Sequence, residues 1–340
     1  MFQEVLMKKI FVFSCCLAAM LLMISCSGGS KPADGSDTAK ICTGQTLCYN
    51  DSSSITCPTS SNADFFGQDT QYTGKCTAQS FTAGTGAQSG TVIDNNTGLV
   101  WEQSPSEDTY TWDDASNHCA DLNSSKYGGI KTWRVPSPLE FMTIVDNSMY
   151  NPATNSNFTG MPTSSSSYFW TSKEYKGDAS YAYVFVPYYG NYHGYDASAY
   201  SKTETYKVLC VSGDEIQPAI SSDFTTSSDG KFVTDNRTGL MWQKEYVTDK
   251  TWQQALKYCE DSTYAGYSDW RLPNKNELFS LMNYEKSDSP YSYFPDTPIG
   301  WFWSSSTNVC YTNGAWIMDV INGIMHDSVK DGYNSVRCVR

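Results

Sequence analysis

A chain of 340 residues is long enough for more than one domain of ordinary size, and an aromatic content of 14%, with 10 Trp and 24 Tyr, excludes disorder throughout. The formal net charge of −13 and the lack of a basic stripe exclude nucleic acid and other polyanions as partners. Neutral glycans, proteins and cations remain compatible with that balance.

At the N-terminal end, Lys8 and Lys9 precede an apolar run from Ile10 to Ile24, too short to span a bilayer comfortably, which reads as a signal-peptide core. The run ends in Met23-Ile24-Ser25-Cys26, which resembles the bacterial lipobox. Residues 1–25 are therefore expected to be a lipoprotein signal peptide and Cys26 to carry lipid, so that one partner is the membrane itself. The Ser/Gly/Lys/Pro/Asp-rich stretch 26–40 is expected as a flexible tether. The expected location is outside the cytoplasm, anchored to the outer membrane or cell surface.

Residues 41–79 hold Cys42, Cys48, Cys57 and Cys76 among few aliphatic residues, so a small module there needs two disulfides in place of a core. Their connectivity stays open at this point. Zinc is the rival reading, but no histidine lies nearby and export favours oxidation.

The rest of the chain is a long internal repeat. Val92-Ile93-Asp94-Asn95-Asn96-Thr97-Gly98-Leu99-Val100-Trp101 recurs as Val233-Thr234-Asp235-Asn236-Arg237-Thr238-Gly239-Leu240-Met241-Trp242. Thr111-Trp112 through Cys119 recurs as Thr251-Trp252 through Cys259, and Trp133-Arg134-Val135-Pro136 as Trp270-Arg271-Leu272-Pro273. Phe169-Trp170-Thr171-Ser172 returns as Phe302-Trp303-Ser304-Ser305, and each copy closes on an apolar cysteine-bearing strand around Cys210 or Cys338. Copies this long are domains rather than solenoid units, placed at 80–213 and 224–340 with a linker at 214–223.

Within a copy, Asp-Asn-Asn-Thr-Gly or Asp-Asn-Arg-Thr-Gly between apolar runs reads as a hairpin turn, with a calcium loop as the weaker alternative. Thr251 caps a helix with Gln254 reaching back, and Thr111 with Asp114 is expected to repeat the device. A second helix follows, capped by Ser137 with Glu140, or Asn274 with Glu277. Strands are expected at 168–172 and 182–186, then 301–305 and 315–320. The fold class is thus α+β, two short helices and a small antiparallel sheet per copy. Cys119 and Cys259 fall on the inner face of the first helix, Cys210 and Cys338 on the last strand, so the pairs expected are Cys119–Cys210 and Cys259–Cys338. Cys310 has no counterpart and is the leftover thiol.

The ordered motifs Thr-Gly-Leu-Val/Met-Trp, Thr-Trp-x-x-Ala-x-x-x-Cys, Trp-Arg-Val/Leu-Pro and Phe-Trp-Thr/Ser-Ser, with a terminal Val-Arg-Cys-Val-Arg in the second copy, resemble the Lcl C-terminal domain family over both copies. In the first copy Leu209 stands where the second has Arg337, and a longer Tyr-rich segment precedes the closing strand. The resemblance implies a fold similar to C-type lectins and the formylglycine-generating enzyme, and extracellular recognition as the function. Glycosaminoglycan binding, associated with adhesin relatives, does not carry over to a chain this acidic.

The three histidines, His118, His193 and His326, fall in no metal or triad spacing, so neither catalytic residues, metal nor cofactor are expected. The stretch containing Tyr188, Tyr189, Asn191, Tyr192, His193 and Tyr195 is the candidate ligand-binding surface, because tyrosines between glycines supply rigid amphipathic contact area. A Tyr-rich hairpin that only covers the sheet is the alternative. The functional expectation is a non-catalytic surface module for a glycan or for a host or envelope protein. A structural component of the envelope is the second expectation, and an enzyme of unknown chemistry the third.

Overall fold

The computed structural model describes residues 40–193, 200–284, 293–294, 297, 300–319 and 323–340. The expected signal peptide, Cys26, the expected tether before residue 40 and Tyr195 lie outside these residues, as do the side chains of Asn191, Tyr192 and His193. Among the described residues no helix is long and apolar enough to cross a membrane.

The Cys-rich module is a minimal hairpin, β1 (Cys48–Tyr49) with β2 (Ser54–Ile55), followed by a 3-10 turn at Asp69–Lys75. Disulfides Cys48–Cys57 and Cys42–Cys76 close it. With little apolar volume available, polar side chains organise its interior. The Gln68 amide accepts from the Tyr49 N–H at 2.8 Å and donates to the Tyr49 and Phe65 carbonyls at 2.9 and 2.8 Å.

The first repeat opens as a meander of β3 (Phe81–Ala83), β4 (Thr91–Asp94) and β5 (Val100–Glu102). In the β4–β5 turn the Asp94 carboxylate accepts from the Asn96 N–H and the Thr97 hydroxyl at 2.9 and 2.8 Å, and Gly98 takes φ 76°. Asp235 does the same in the second repeat, with the Arg237 N–H and guanidinium at 2.9 and 3.0 Å, so these carboxylates build the turn. Helices α1 (Ala115–Ser125) and α2 (Pro138–Ile144) follow, then the antiparallel sheet β6 (Phe169–Glu174), β7 (Ala182–Val186) and β8 (Asn191–His193). Strand β9 (Val211–Ser212) returns beside β5.

The second repeat runs through β10 (Phe224–Thr226), β11 (Phe232–Asp235), β12 (Met241–Gln243) and β13 (Val247–Lys250) to α3 (Trp252–Glu260) and α4 (Lys275–Ser280). It ends with β14 (Trp301–Thr307), β15 (Gly314–Asp319), β16 (Ile324–Val329) and β17 (Asn334–Val336), in a sheet ordered β13-β17-β14-β15-β16. The pairing of β14 with β17 is parallel, where an antiparallel sheet was expected throughout.

Local chemistry fixes the helix starts. Ser137 and Asn274 accept from the N–H of Glu140 and Glu277, whose carboxylates accept in return from the cap N–H groups. Thr251 and Gln254 form the same reciprocal cap on α3. The first repeat departs from this expectation. Asp114 is one methylene shorter than Gln254, so its carboxylate takes the Thr111 hydroxyl at 2.8 Å instead of the cap N–H, and helix α1 begins only at Ala115.

Cys119 is bonded to Cys210 and Cys259 to Cys338, across 91 and 79 positions. Around each bond lies one apolar cluster, containing Trp133 and Trp170 in the first repeat and Trp252, Trp270 and Trp303 in the second. A third cluster belongs to both repeats, joining Trp101, Phe141 and Phe185 to Phe279, Trp316 and Met318. Helix α2 packs on α4, and β8 on β16. Each of these elements meets its own counterpart, the arrangement of an isologous interface within one chain. The copies are therefore fused through a common core rather than strung as autonomous globules.

Candidate functional site

Tyr188 and Tyr189 occupy the turn from β7 into β8 rather than an exposed loop. Gly190 ends that turn at φ 64°, where an added Cβ would lie 2.7 Å from Val145 and 2.9 Å from Ala153, so only glycine fits. The segment after α2 runs alongside, the Asn151 and Ala153 N–H groups donating to the Tyr188 and Pro187 carbonyls at 2.9 and 2.8 Å. This pairing brings Tyr150 to Tyr188 at 6.3 Å between ring centroids, with Tyr188 to Tyr189 at 4.6 Å. From the second repeat, Tyr311 in the β14–β15 turn reaches Tyr189 at 6.3 Å.

The result is a row of four tyrosines assembled from both repeats. Its ends, Tyr150 and Tyr311, are 49% and 52% exposed, while Tyr188 and Tyr189 are half-buried. A hydrogen bond with Tyr189 pushes the Tyr311 phenol up to about 12, so this end of the row is uncharged at neutral pH and offers a ring face and a hydroxyl. Cys310 lies beside it, half-buried, and burial raises its thiol above the ordinary range, which disfavours the nucleophilic thiolate. The β8 backbone of Asn191, Tyr192 and His193 pairs with Val186, Phe185 and Val184. Tyr150 and Tyr311 were not singled out from the sequence: they sit in separate turns, and only the contact between repeats brings them to Tyr188 and Tyr189.

The framework holding this row is the same in both halves. Arg134 clamps Glu140 through two bonds of 2.5 and 2.8 Å, and Arg271 clamps Glu277 at 2.5 and 2.7 Å. The indole N–H groups of Trp112, Trp133 and Trp170 reach the carbonyls of Thr171, Tyr127 and Tyr110, as those of Trp252, Trp270 and Trp303 reach Ser304, Tyr264 and Lys250. The family model for the Lcl C-terminal domain matches residues 90–212 and 231–340, more than half of the chain. The chain belongs to the Lcl C-terminal domain family. None of the curated proteins matches it.

Between its two Lcl domains the chain buries a lysine. The Lys275 ammonium donates to Asn147 Oδ1 at 2.9 Å and to the Gly190 carbonyl, and lies 3.9 Å from the centre of the Trp316 ring. Burial drives its pKa well below the ordinary lysine value. From the Cys-rich module, Asp69 accepts from the Ser306 and Thr43 hydroxyls, and burial raises its carboxyl to about 6. Among the described residues one trio of metal-ligand types converges, Glu102, His118 and Cys210. The Cys210 sulfur is bonded to Cys119, and His118 Nε2 lies 3.0 Å from Glu102, so the trio is a hydrogen-bonded pair beside a disulfide. His118 is half-buried by that pairing rather than facing solvent.

Proposed function

We propose that this chain is a non-catalytic bacterial surface lipoprotein, exported and anchored through Cys26, that binds a neutral glycan or protein ligand through its tyrosine row. The observation that carries the reading is the row itself: four rings in mutual contact, contributed by both Lcl domains and ending in two exposed tyrosines. Such rings supply contact area at low conformational cost, and the acidic chain disfavours sulfated or phosphorylated ligands. A C-type-lectin-like architecture for each domain is part of this proposal and rests on family membership.

The experiment is a glycan array together with matrix-protein binding, run on the wild type and on Tyr150→Ala with Tyr311→Ala. Because both side chains are exposed, the melting temperature should hold within about 2 °C while binding is lost. Binding that survives the double substitution refutes the assignment of the row. Incorporation of labelled fatty acid that persists in Cys26→Ser refutes the anchor.

A further inference from the structure

Both repeats carry the same cleft, and the described residues fill only the one in the second repeat. In the first repeat a cleft of about 460 Å³ opens between α1 and the Trp133-Arg134-Val135 segment, with Trp112, Ala115, Cys119 and Trp133 on its floor and Ser116 and Ala120 at its rim. The corresponding floor in the second repeat is Trp252, Ala255, Cys259 and Trp270, and there the Cys-rich module lies across it. Phe65 packs on Trp252 at 6.3 Å, and the Arg271 guanidinium sits 5.3 Å from the Tyr72 ring centre. The Tyr72 hydroxyl donates to Glu260, and Asp69 takes the Ser306 hydroxyl. Trp252 is accordingly 0% exposed and Leu256 buried, whereas Trp112 is only half-buried and Ser116, the counterpart of Leu256, is exposed.

The frameworks match closely enough for the comparison to carry over. A lysine ammonium covers the outer face of each tryptophan, Lys202 at 4.1 Å from Trp112 and Lys330 at 4.2 Å from Trp252. One difference bears on charge. Lys173 stands where the second repeat has Ser306, and Glu215 holds its ammonium at 2.9 Å. A guest placed as the module is placed would bring its counterpart of Asp69 to a lysine instead of a hydroxyl.

We propose that the first-repeat cleft is a docking site for a polypeptide segment of a partner protein, bearing an aromatic side chain followed by a carboxylate at the spacing of Phe65 and Asp69. The ring occupies the Trp112–Trp133 floor and the carboxylate meets Lys173. A second copy of this chain is a poor guest, because its own Phe65–Tyr72 segment is already seated and is closed into a loop by Cys42–Cys76. This site is separate from the tyrosine row and does not depend on it.

The test is selection of phage-displayed random 12-residue peptides on the oxidised chain, followed by binding measurements on Ser116→Arg, Ala120→Arg and Tyr311→Ala. Both arginines sit on the exposed face of α1 and leave the core untouched, which equal melting temperatures verify. The expected clones carry an aromatic residue with Asp or Glu about four positions later. They bind wild type and Tyr311→Ala alike and weaken about tenfold or more on either arginine variant. The proposal is overturned if no clone enriches, if the clones lack the pattern, or if the arginine variants bind them equally. A glycan displaced by Ser116→Arg in the absence of any peptide also overturns it, and assigns the cleft to sugar. Loss of binding on Tyr311→Ala alone returns the peptides to the tyrosine row and equally overturns it.

Discussion

Phe65 has a left-handed backbone, φ 61°, which a bulky side chain rarely adopts, and its ring rests on Trp252. Two opposing terms can be separated by substitution. Removing a fully buried Phe ring costs about 3–5 kcal/mol, so a half-buried one should cost roughly 2 kcal/mol. Holding a non-glycine residue in the left-handed region costs about 1 kcal/mol. Phe65→Ala loses the ring and keeps the strain; Phe65→Gly loses the ring and relieves it. The expected order of stability is wild type, then Phe65→Gly, then Phe65→Ala, with the last two about 1 kcal/mol apart. Urea titration followed by tryptophan fluorescence reads the order, and acrylamide quenching of Trp252 should rise in both variants. If Phe65→Gly proves no more stable than Phe65→Ala, or if quenching is unchanged in either, the ring does not seal the second-repeat cleft as argued.

Three further outcomes follow from buried charge. Glu277→Gln breaks a clamp in which both partners are buried and should cost about 3–5 kcal/mol, whereas Glu140→Gln should cost less because Arg134 keeps part of its surface in water; equal losses in denaturant titration would contradict this. Asp69 titrates near 6 in the folded chain against about 3.9 unfolded, so its contribution is complete below pH 4 and fades as pH rises through 6, by about 3 kcal/mol. Asp69→Asn should flatten urea midpoints between pH 4 and 6, and an unchanged slope would refute the assignment. Lys330, brought down to about 7 by burial, binds its proton less readily folded than unfolded, so stability should climb from pH 7 toward 10 by at most about 4 kcal/mol. Lys330→Met should abolish that climb, as followed by thermal melts across the range.

What the sequence discloses here is whatever is written locally and twice. The Asp-Asn turns, the Glu140 and Glu277 caps and the placement of the cysteines follow from short-range chemistry, and each appears again at the matching position. What it conceals arises where copies differ or meet. Lys275 looks like a solvent-facing first-turn residue, but Asn147 and Gly190 of the other repeat enclose it. Trp112 and Trp252 read identically along the chain, and only the module lying on one of them separates a half-buried ring from a sealed one. Tyr188 and Tyr189 carry the composition of a binding loop and adopt a hairpin turn, whose last residue, Gly190, packs so closely on Val145 and Ala153 that no Cβ fits.

The bond between Cys42 and Cys76 has a mechanical side. Tension entering the chain ahead of Cys42 crosses the sulfurs to Cys76 and Thr77, whose backbone already pairs with Lys40 and Cys42, and runs on into β3. The 33 residues in between stand outside that line of force. A pull on the chain ahead of Cys42 would then leave Phe65 and Tyr72 undisturbed on the second repeat, and strain would first be felt by the opening strand of the first.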